Sequence, residues 1–238
     1  MENNSPYILE ETGDFAVVFK PPKMHSAPLK QKDGGTLLEW YTAHFPPVVD
    51  LLHRLDFETH GLVLLAKSQK SFEYFKNLQE GGEFVKEYSA VCISSVLAEG
   101  FPPPPSLANS EPSPEKPLVI ESYFRPFGPG RKQVRPVTED DKKHSELAKD
   151  RGGFYRTEIV GISGNVFTVR IKRGFRHQIR AHLCWIGSPI LNDPLYSEQR
   201  TENSRQGILA LCANALFFTD PSNGKRREYR IIPMLDNS

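Results

Sequence analysis

Residues 51–67 read LLHRLDFETHGLVLLAK, a polar turn followed by an apolar run. The run at residues 61–66 predicts a buried strand, because it is short, continuous and apolar. A polar turn leading into such a strand places a carboxylate at the edge of a sheet, where it is partly desolvated yet reachable. Taken alone, an aspartate beside an arginine is more often a turn residue or half of a structural ion pair. Both interpretations of Asp56, a reachable carboxylate at the edge of a sheet and a structural turn or ion-pair residue, therefore stay open at this point.

Working outward, the hydrophobic pattern predicts further strands and helices on both sides of this stretch. A hairpin is predicted from residues 154–162 and 166–171, joined by Ser163-Gly164-Asn165. The elements do not alternate strictly between strand and helix, which favours an α+β fold with a mixed sheet over a doubly wound one. The other predicted strands are residues 15–19, 83–93, 208–218 and 228–232, and the predicted helices are residues 36–45, 68–79 and 177–186.

The composition is that of a globular chain of 238 residues, with 38% hydrophobic, 25% charged and 11% aromatic residues. The longest uncharged apolar stretch, residues 206–219, is shorter than a bilayer span. The first residues have no basic segment followed by an apolar core, so they do not resemble a signal peptide. Three scattered cysteines argue against a disulfide scaffold and a zinc ribbon. We therefore expect a cytoplasmic protein with no membrane partner.

The net charge of +1 is unevenly distributed along the chain. Residues 122–182 hold 14 lysines and arginines against 6 acidic residues. Clustered cations on a nearly neutral chain favour a polyanion on one face, because phosphate contacts depend on local charge. The plainer interpretation is a solvated charged surface.

The segment 101–117 carries seven prolines in its 17 residues. Such a segment is expected to be extended and exposed and to stay out of a sheet. The strands predicted before it need partners from those after it. We therefore interpret it as an insertion loop within one catalytic domain that spans residues 1–238.

A second polar cluster lies in residues 173–196, RGFRHQIRAHLCWIGSPILNDPLY. Arg176, His177, Gln178 and Arg180 crowd the start of a predicted short helix. Arg180 follows Ile179 of the apolar face, so it lies near the buried boundary and needs a carboxylate, for which Asp56 is a candidate. The alternative is an ordinary amphipathic helix with a basic face.

Several common catalytic designs are missing from the sequence. No phosphate-binding glycine loop, no HExxH and no GxSxG is present, and the seven histidines lack ligand spacing. No cofactor and no metal site are therefore expected.

The motifs HRLDFETHG, VKEY and GFRHQIRAHLCWIGSPILNDPLY, in that order, resemble the RluA-type pseudouridine synthase family. The resemblance covers nearly the whole chain, and FAVVFKPPKMHS is similar to the first motif of the family. It implies a pseudouridine synthase fold, with a mixed, mainly antiparallel central sheet and a catalytic cleft. It implies the catalytic residues Asp56, Tyr88 and Arg180, with Arg180 paired to Asp56. The implied RNA- or substrate-binding residues are His53, Arg54, Arg176, His177, Gln178, Ile179 and Leu211.

This chain departs from the family pattern at several positions. His60 stands where Ser or Thr is common, Cys212 replaces a His, Asn192 replaces a Gly, and Phe175-Arg176 replaces Arg-Thr. None of these changes removes the implied aspartate, tyrosine or arginine. Because Asp56 comes early in the chain, we expect no N-terminal S4 RNA-binding domain.

The implied activity is isomerisation of a uridine in structured rRNA or tRNA by a monomer that needs no cofactor. Asp56 acts in it either as a nucleophile or as a base. One alternative is a catalytically inactive RNA-binding or assembly factor on the same fold. Another is a small-molecule glycosidase, which pairs two carboxylates and for which Glu58 is the local candidate beside Asp56.

Overall fold

A computed structural model describes residues 5–28, 35–45, 50–95, 97, 99–107, 111–141, 153–197 and 207–235. The chain groups into two compact units. Unit 1 comprises Met1–Tyr88 and Cys212–Met234, and unit 2 comprises Ser89–Leu211 and Leu235–Ser238. The single domain expected over residues 1–238 stays a prediction.

The described strands are β1 (Tyr7–Glu11), β2 (Phe15–Lys20), β3 (Asp50–Leu51), β4 (His60–Ala66), β5 (Val85–Val91), β6 (Leu118–Phe127), β7 (Gln133–Val137), β8 (Tyr155–Ser163), β9 (Val166–Ile171), β10 (Leu211–Thr219) and β11 (Arg226–Arg230). The helices of the described residues are α1 (Leu37–His44), α2 (Gln69–Glu80) and α3 (Gln178–Trp185), and Pro129–Arg131 forms a 3-10 turn.

Unit 1 is built on a mixed sheet in which β2 and β4 are buried along their whole length. These two strands pair antiparallel from Phe15 opposite Ala66 to Lys20 opposite Gly61. β10 pairs with β4 in parallel and with β11 antiparallel. The predicted buried strands at residues 15–19 and 61–66 are confirmed, and burial on both faces explains their continuous apolar sequences.

The core of unit 1 contains a tight aromatic group. The rings of Phe15, Phe75 and Phe218 meet edge to face, with centroids 5.3 to 5.7 Å apart. Phe75 belongs to α2, so this cluster fixes the helix against the sheet. Both predicted helices of unit 1 are confirmed, and Thr36 and Ser68 cap their N-termini by hydrogen bonds with the backbone.

Unit 2 contains the antiparallel strand order β9, β8, β6 and β7. The predicted hairpin is confirmed as β8 and β9, with a bulge between Ile159 and Gly161. The sequence reasoning did not identify β6 or β7. Pro136 lies inside β7 opposite Phe124, and a proline within a short run argues against a strand unless that strand lies at an edge.

The proline-rich segment forms no strand in its described residues, 101–107 and 111–117, as predicted. Its first two residues, Phe101 and Pro102, are half-buried, so the expectation that the segment is exposed is wrong for them. The indole Nε1 of Trp185 donates to the carbonyls of Pro102 and Pro103, at 2.9 and 3.1 Å. The Phe101 ring lies 4.1 Å from the guanidinium carbon of Arg135. A buried tryptophan N–H needs an acceptor, which these prolines supply.

Among the described residues, no helix combines the length and apolar character that crossing a bilayer requires. The three cysteines, Cys92, Cys184 and Cys212, are buried thiols without disulfide bonds.

Candidate active site

Asp56 lies half-buried on the loop between β3 and β4. Its carbonyl accepts a hydrogen bond from the amide of Thr59 at 3.2 Å, which closes a tight turn. The preceding residue, Leu55, is buried and fixed by Ser26. The Ser26 hydroxyl donates to the Leu55 carbonyl at 2.9 Å and accepts from the Leu55 amide at 3.0 Å. Both main-chain groups on the N-terminal side of Asp56 are therefore satisfied by one side chain.

The residue after Asp56 is also held through its main chain. The buried ammonium group of Lys20 donates to the Phe57 carbonyl at 3.4 Å, and to the Pro21 and Met24 carbonyls at 2.9 and 2.8 Å. An ammonium group has three donors, so one lysine ties the chain after β2 to the loop that carries Asp56. Lys20 and Ser26 lie in the first motif, FAVVFKPPKMHS, but no sequence pattern predicts a role for either residue.

Burial lowers the pKa of Lys20 to about 7, against the opposing effect of the negative charges on Asp56 and Glu58. A lysine with such a pKa holds its proton only loosely at neutral pH. Because the charges of Asp56 and Glu58 act on Lys20, the protonated lysine in turn contributes positive potential at Asp56.

Tyr88 is buried in β5. Its pKa is raised above the ordinary tyrosine value, first by burial and then by the negative charge of Asp56. The phenol therefore keeps its proton at neutral pH. The coupling places Tyr88 in the electrostatic neighbourhood of Asp56, within unit 1. A ring in this state packs and donates a hydrogen bond, and it is poorly suited to act as a base.

His53 is buried, and its Nε2 accepts a hydrogen bond from the Leu64 amide at 3.4 Å. Burial, together with the charge of Lys86, lowers the pKa of His53 well below its ordinary value, so the ring is neutral. Its ring also packs beside Phe84, with centroids 5.6 Å apart. These contacts favour a supporting role over the predicted RNA contact. Arg54, the next residue, is exposed, as an RNA-contacting side chain needs to be.

Two of the departures from the family pattern are neighbours in the sheet. His60 of β4 and Cys212 of β10 are opposite each other in the parallel pairing, and both are buried. The adjacent pair is Gly61 and Ala213. Gly61 has a φ of 123°, and a Cβ there would collide with the Ala213 backbone, so only glycine fits. His60 and Cys212 are far apart in the sequence, but the pairing of β4 with β10 makes them direct neighbours.

Arg180, in unit 2, is buried on α3 and forms a bidentate ion pair with Asp193. Its Nε and Nη2 donate to the two carboxylate oxygens of Asp193, each at 2.8 Å. Asp193 also accepts from the amides of Leu195 and Tyr196. From its sequence, Asn192-Asp193-Pro194 is predicted only as a turn, so Asp193 as the partner of Arg180 was missed. The pairing of Arg180 with Asp56 stays a prediction.

The predicted contact residues Gln178 and Ile179 are buried in unit 2. The Gln178 amide group donates to the Arg156 carbonyl and to the Thr157 hydroxyl, both at 3.0 Å, and its oxygen accepts from the Phe175 amide at 2.9 Å. Gln178 therefore anchors the start of α3 to β8. Leu211, the first residue of β10, is also buried.

His182 anchors the next turn of α3 in unit 2. Its two ring nitrogens form hydrogen bonds with the hydroxyls of Ser122 and Thr157, at 2.9 and 2.8 Å. Burial lowers the pKa of His182 to about 3, so the ring is neutral at physiological pH. A neutral imidazole has one donor and one acceptor, and both are used here. Arg180 is thus carried by a helix that is fixed on both sides of it.

Arg176 is exposed, and His177 is half-buried. Arg176 donates to the Arg131 carbonyl at 2.7 Å and to the Gln133 carbonyl at 3.4 Å. His177 precedes α3 with a φ of 56°, in the left-handed region that a residue with a side chain rarely adopts. These contacts tie the segment before α3 to the connection between β6 and β7.

The basic segment 122–182 is not uniformly on the surface. Arg135 and Arg180 are buried, and Lys142, Lys143, Lys149 and Arg151 lie outside the described residues. The remaining exposed cations are Arg131, Lys132, Arg156, Lys172, Arg173 and Arg176. In the described parts of the chain, no group of three or more His, Cys, Asp or Glu side chains is arranged to hold a metal ion.

Residues 14–185 match the model of the RNA pseudouridylate synthase family. This match covers more than half of the chain, so the chain belongs to that family, as the motifs implied.

Two human structures share its fold. One is RNA pseudouridylate synthase domain containing 1, with a TM-score of 0.66 and 18% identity over 96% of this chain and 84% of that chain. The other is RNA pseudouridylate synthase domain containing 4, with a TM-score of 0.61 and 17% identity over 95% of this chain and 88% of that chain. The predicted α+β pseudouridine synthase fold is confirmed.

Curated relatives extend the comparison to named enzymes. RNA pseudouridine synthase 7 of Arabidopsis thaliana is 27% identical over 201 residues, which are 82% of this chain and 46% of that protein. The mitochondrial tRNA pseudouridine(32) synthase of Saccharomyces cerevisiae is 27% identical over 202 residues, 84% of this chain and 39% of the relative. Ribosomal large subunit pseudouridine synthase D of Escherichia coli (strain K12) is 25% identical over 194 residues, which are 79% of this chain and 52% of the relative. This chain spans about half the length of these relatives, or less.

Proposed function

We propose that this protein is an RNA pseudouridine synthase that isomerises a specific uridine of rRNA or tRNA, with Asp56 as the reacting side chain. The observation that carries the proposal is the position of Asp56. It is half-buried, and its neighbours Leu55 and Phe57 are fixed by Ser26 and Lys20. This loop lies within the region that matches the family. Relatives named for tRNA and for the large ribosomal subunit support both classes of substrate.

The proposed reaction rearranges bonds within one nucleotide. The glycosidic bond between N1 and C1′ breaks, the uracil rotates, and a bond forms between C5 and C1′. The proton on C5 leaves and N1 gains one, so atoms and electrons balance without an oxidant or a reductant. Asp56 attacks or accepts a proton beside the ribose, and a carboxylate on a fixed loop starts near the geometry that either step needs.

Tyr88 supplies the wall for the detached base. Its raised pKa keeps the phenol protonated, so it acts through packing and hydrogen-bond donation. We also retain the role that the family motifs imply for Arg180, which is to orient the Asp56 carboxylate. The bidentate contact with Asp193 fixes the guanidinium for this task. Truncation of Arg180 removes a buried charge partner as well as an orienting group.

The target uridine must leave any stack or base pair before it reaches Asp56, at a cost of about a few kcal/mol. The exposed side chains of Arg54 and Arg176 supply phosphate contacts, which position the RNA. We place the reaction in the cytoplasm and assign it to a monomer.

Pseudouridine mapping tests the proposal directly. Total RNA from cells with and without the gene is treated with carbodiimide and sequenced for reverse-transcription stops. We expect one or more uridines of rRNA or tRNA to lose the signal without the gene. Wild-type protein restores it, and Asp56→Asn does not. If no site depends on the gene, the proposal is wrong and the inactive RNA-binding factor becomes the better account. Crosslinking then identifies the bound RNA.

A further inference from the structure

Phe57, the residue directly after Asp56, is 40% exposed. A large apolar ring at this level of exposure beside the reacting group has no role in the core of unit 1. Its ring centroid lies 4.6 Å from that of His25, with an angle of 39° between the ring planes. His25 itself is half-buried. The two rings therefore form a small aromatic surface next to the candidate active site.

The main chain beneath both rings is fixed. Lys20 holds the Phe57 carbonyl. The His25 carbonyl accepts a hydrogen bond from the Leu37 amide at 2.9 Å, at the N-terminus of α1. Ser26, the residue after His25, binds both main-chain groups of Leu55. The main chain that carries the aromatic surface is therefore fixed before any ligand arrives, which reduces the conformational entropy lost when a flat group packs on it.

The charges around this surface favour a nucleic acid. Arg54 and Lys23, which are exposed, lie on the same two loops as Phe57 and His25. The acidic residues on these loops, Asp56 and Glu58, are half-buried. Exposed aromatic rings with flanking cations are typical of surfaces that bind unstacked nucleotides, in which bases stack on rings and cations contact phosphates.

We propose that Phe57, supported by His25, stacks against the nucleobase adjacent to the target uridine. The inference rests on the proposed function, because it takes RNA as the substrate. When the uridine leaves its stack, its neighbour loses a stacking partner. A rigid ring one residue from Asp56 replaces that partner and keeps the strand open at the reacting nucleotide.

The kinetic test uses an in vitro transcript of the RNA found by mapping. Phe57→Leu keeps an apolar side chain but removes the ring. We expect kcat/KM to fall by about 10- to 100-fold, mainly through KM, with an unchanged melting temperature. Phe57→Trp restores kcat/KM because it restores the stack. Phe45→Leu is the matched control, since Phe45 is a similarly exposed phenylalanine of unit 1, and it leaves kcat/KM unchanged.

Photocrosslinking gives a readout that does not depend on catalysis. The probe is total RNA labelled with 4-thiouridine in cells that lack the gene, irradiated with the purified protein. We expect mass spectrometry to locate a crosslink on Phe57 or His25, which Phe57→Leu reduces and Phe45→Leu does not. Wild-type kcat/KM in Phe57→Leu, together with no crosslink at either ring, would overturn the stacking role and leave the proposed function intact. A crosslink at Phe57 with no pseudouridine formed would instead retain the surface and reject the proposed function.

Discussion

The two charged residues that the motifs single out are held in different ways. Asp56 is held through its neighbours, because Ser26 and Lys20 bind the main chain of Leu55 and Phe57. Arg180 is held through its own guanidinium, which the buried carboxylate of Asp193 engages at two points. The first arrangement fixes the backbone from which the Asp56 side chain extends. The second fixes the charged group at the tip of the Arg180 side chain. A fixed backbone suits a reacting group, and a fixed charged tip suits a group that orients another residue.

Asp56→Asn is the strongest test of the first arrangement. We expect pseudouridine formation to be abolished, while the free energy of unfolding changes by no more than about 0.5 kcal/mol. The loop keeps its main-chain hydrogen bonds, so the fold does not depend on the carboxylate. Urea unfolding and product mapping measure the two effects separately.

Glu58→Gln is the matched control, since Glu58 is half-buried on the same loop. It retains activity if Asp56 acts alone. Equal loss in both variants would contradict the assignment and support the glycosidase type of carboxylate pair instead.

Asp193→Asn is expected to show the opposite pattern, with a large loss of stability. The substitution leaves the buried charge of Arg180 without its bidentate partner, and breaking such a pair costs about 3–5 kcal/mol. Activity falls as well, because the guanidinium is no longer fixed. The free energy of unfolding in urea is the measurement.

Glu158→Gln serves as the comparison for Asp193→Asn, since it removes an ion pair of the exposed Arg156. We expect a change below about 1 kcal/mol there. Similar losses in both variants would show that the burial of the Arg180 pair has no special importance.

Ser26→Ala removes the side chain that binds both main-chain groups of Leu55. The buried amide and carbonyl then lack their partner, which costs about 1–3 kcal/mol. We also expect kcat to fall, since Asp56 follows Leu55. Thr42→Ala is the control, because it deletes an exposed hydroxyl that bonds to the Leu38 carbonyl on α1. Wild-type kcat in Ser26→Ala would contradict the view that Asp56 is positioned through its neighbours.

The low pKa of Lys20 predicts a smaller effect, a dependence of the free energy of unfolding on pH. Its pKa is about 7 in the folded protein and 10.5 as the ordinary value, so between these pH values the unfolded chain binds more protons. The stability of the wild type relative to Lys20→Met therefore rises with pH above 7, by at most about 1.4 kcal/mol per pH unit.

Unfolding experiments between pH 7 and 9 measure this slope. Lys86, also buried and with a pKa of about 8, adds a slope of the same sign to both proteins. The difference between wild type and variant isolates Lys20. Parallel curves would show that Lys20 keeps an ordinary pKa.

The sequence predicted the elements whose own residues determine them. The buried strands at residues 15–19 and 61–66, the capped helix after Ser68 and the hairpin through Gly164 follow from local patterns. β6 and β7 were missed because Pro126 and Pro136 argue locally against a strand. Their pairing with each other is a tertiary effect that overrides this preference.

The candidate site was predictable in its motifs but not in its supports. Asp56 and Arg180 stand out by residue type and context, whereas Ser26 and Asp193 resemble ordinary turn residues. Ser26 is separated from Leu55 by 29 positions, and no local pattern links such distant residues. One available signal was Lys20, a charged residue directly after a buried apolar strand, since lysine is rarely fully buried without a specific partner.

The way in which the loop of Asp56 is fixed has a consequence for how this protein can change over evolution. Ser26 and Lys20 recognise only amides and carbonyls of that loop, which every residue at positions 55 and 57 supplies, apart from the amide that proline lacks at position 55. The exposed side chain of Phe57 is therefore not needed to hold the aspartate in place. If Phe57 contacts RNA and Asp56 reacts, as proposed, position 57 can change with the RNA substrate while Asp56 is retained. Selectivity and reactivity can then evolve separately.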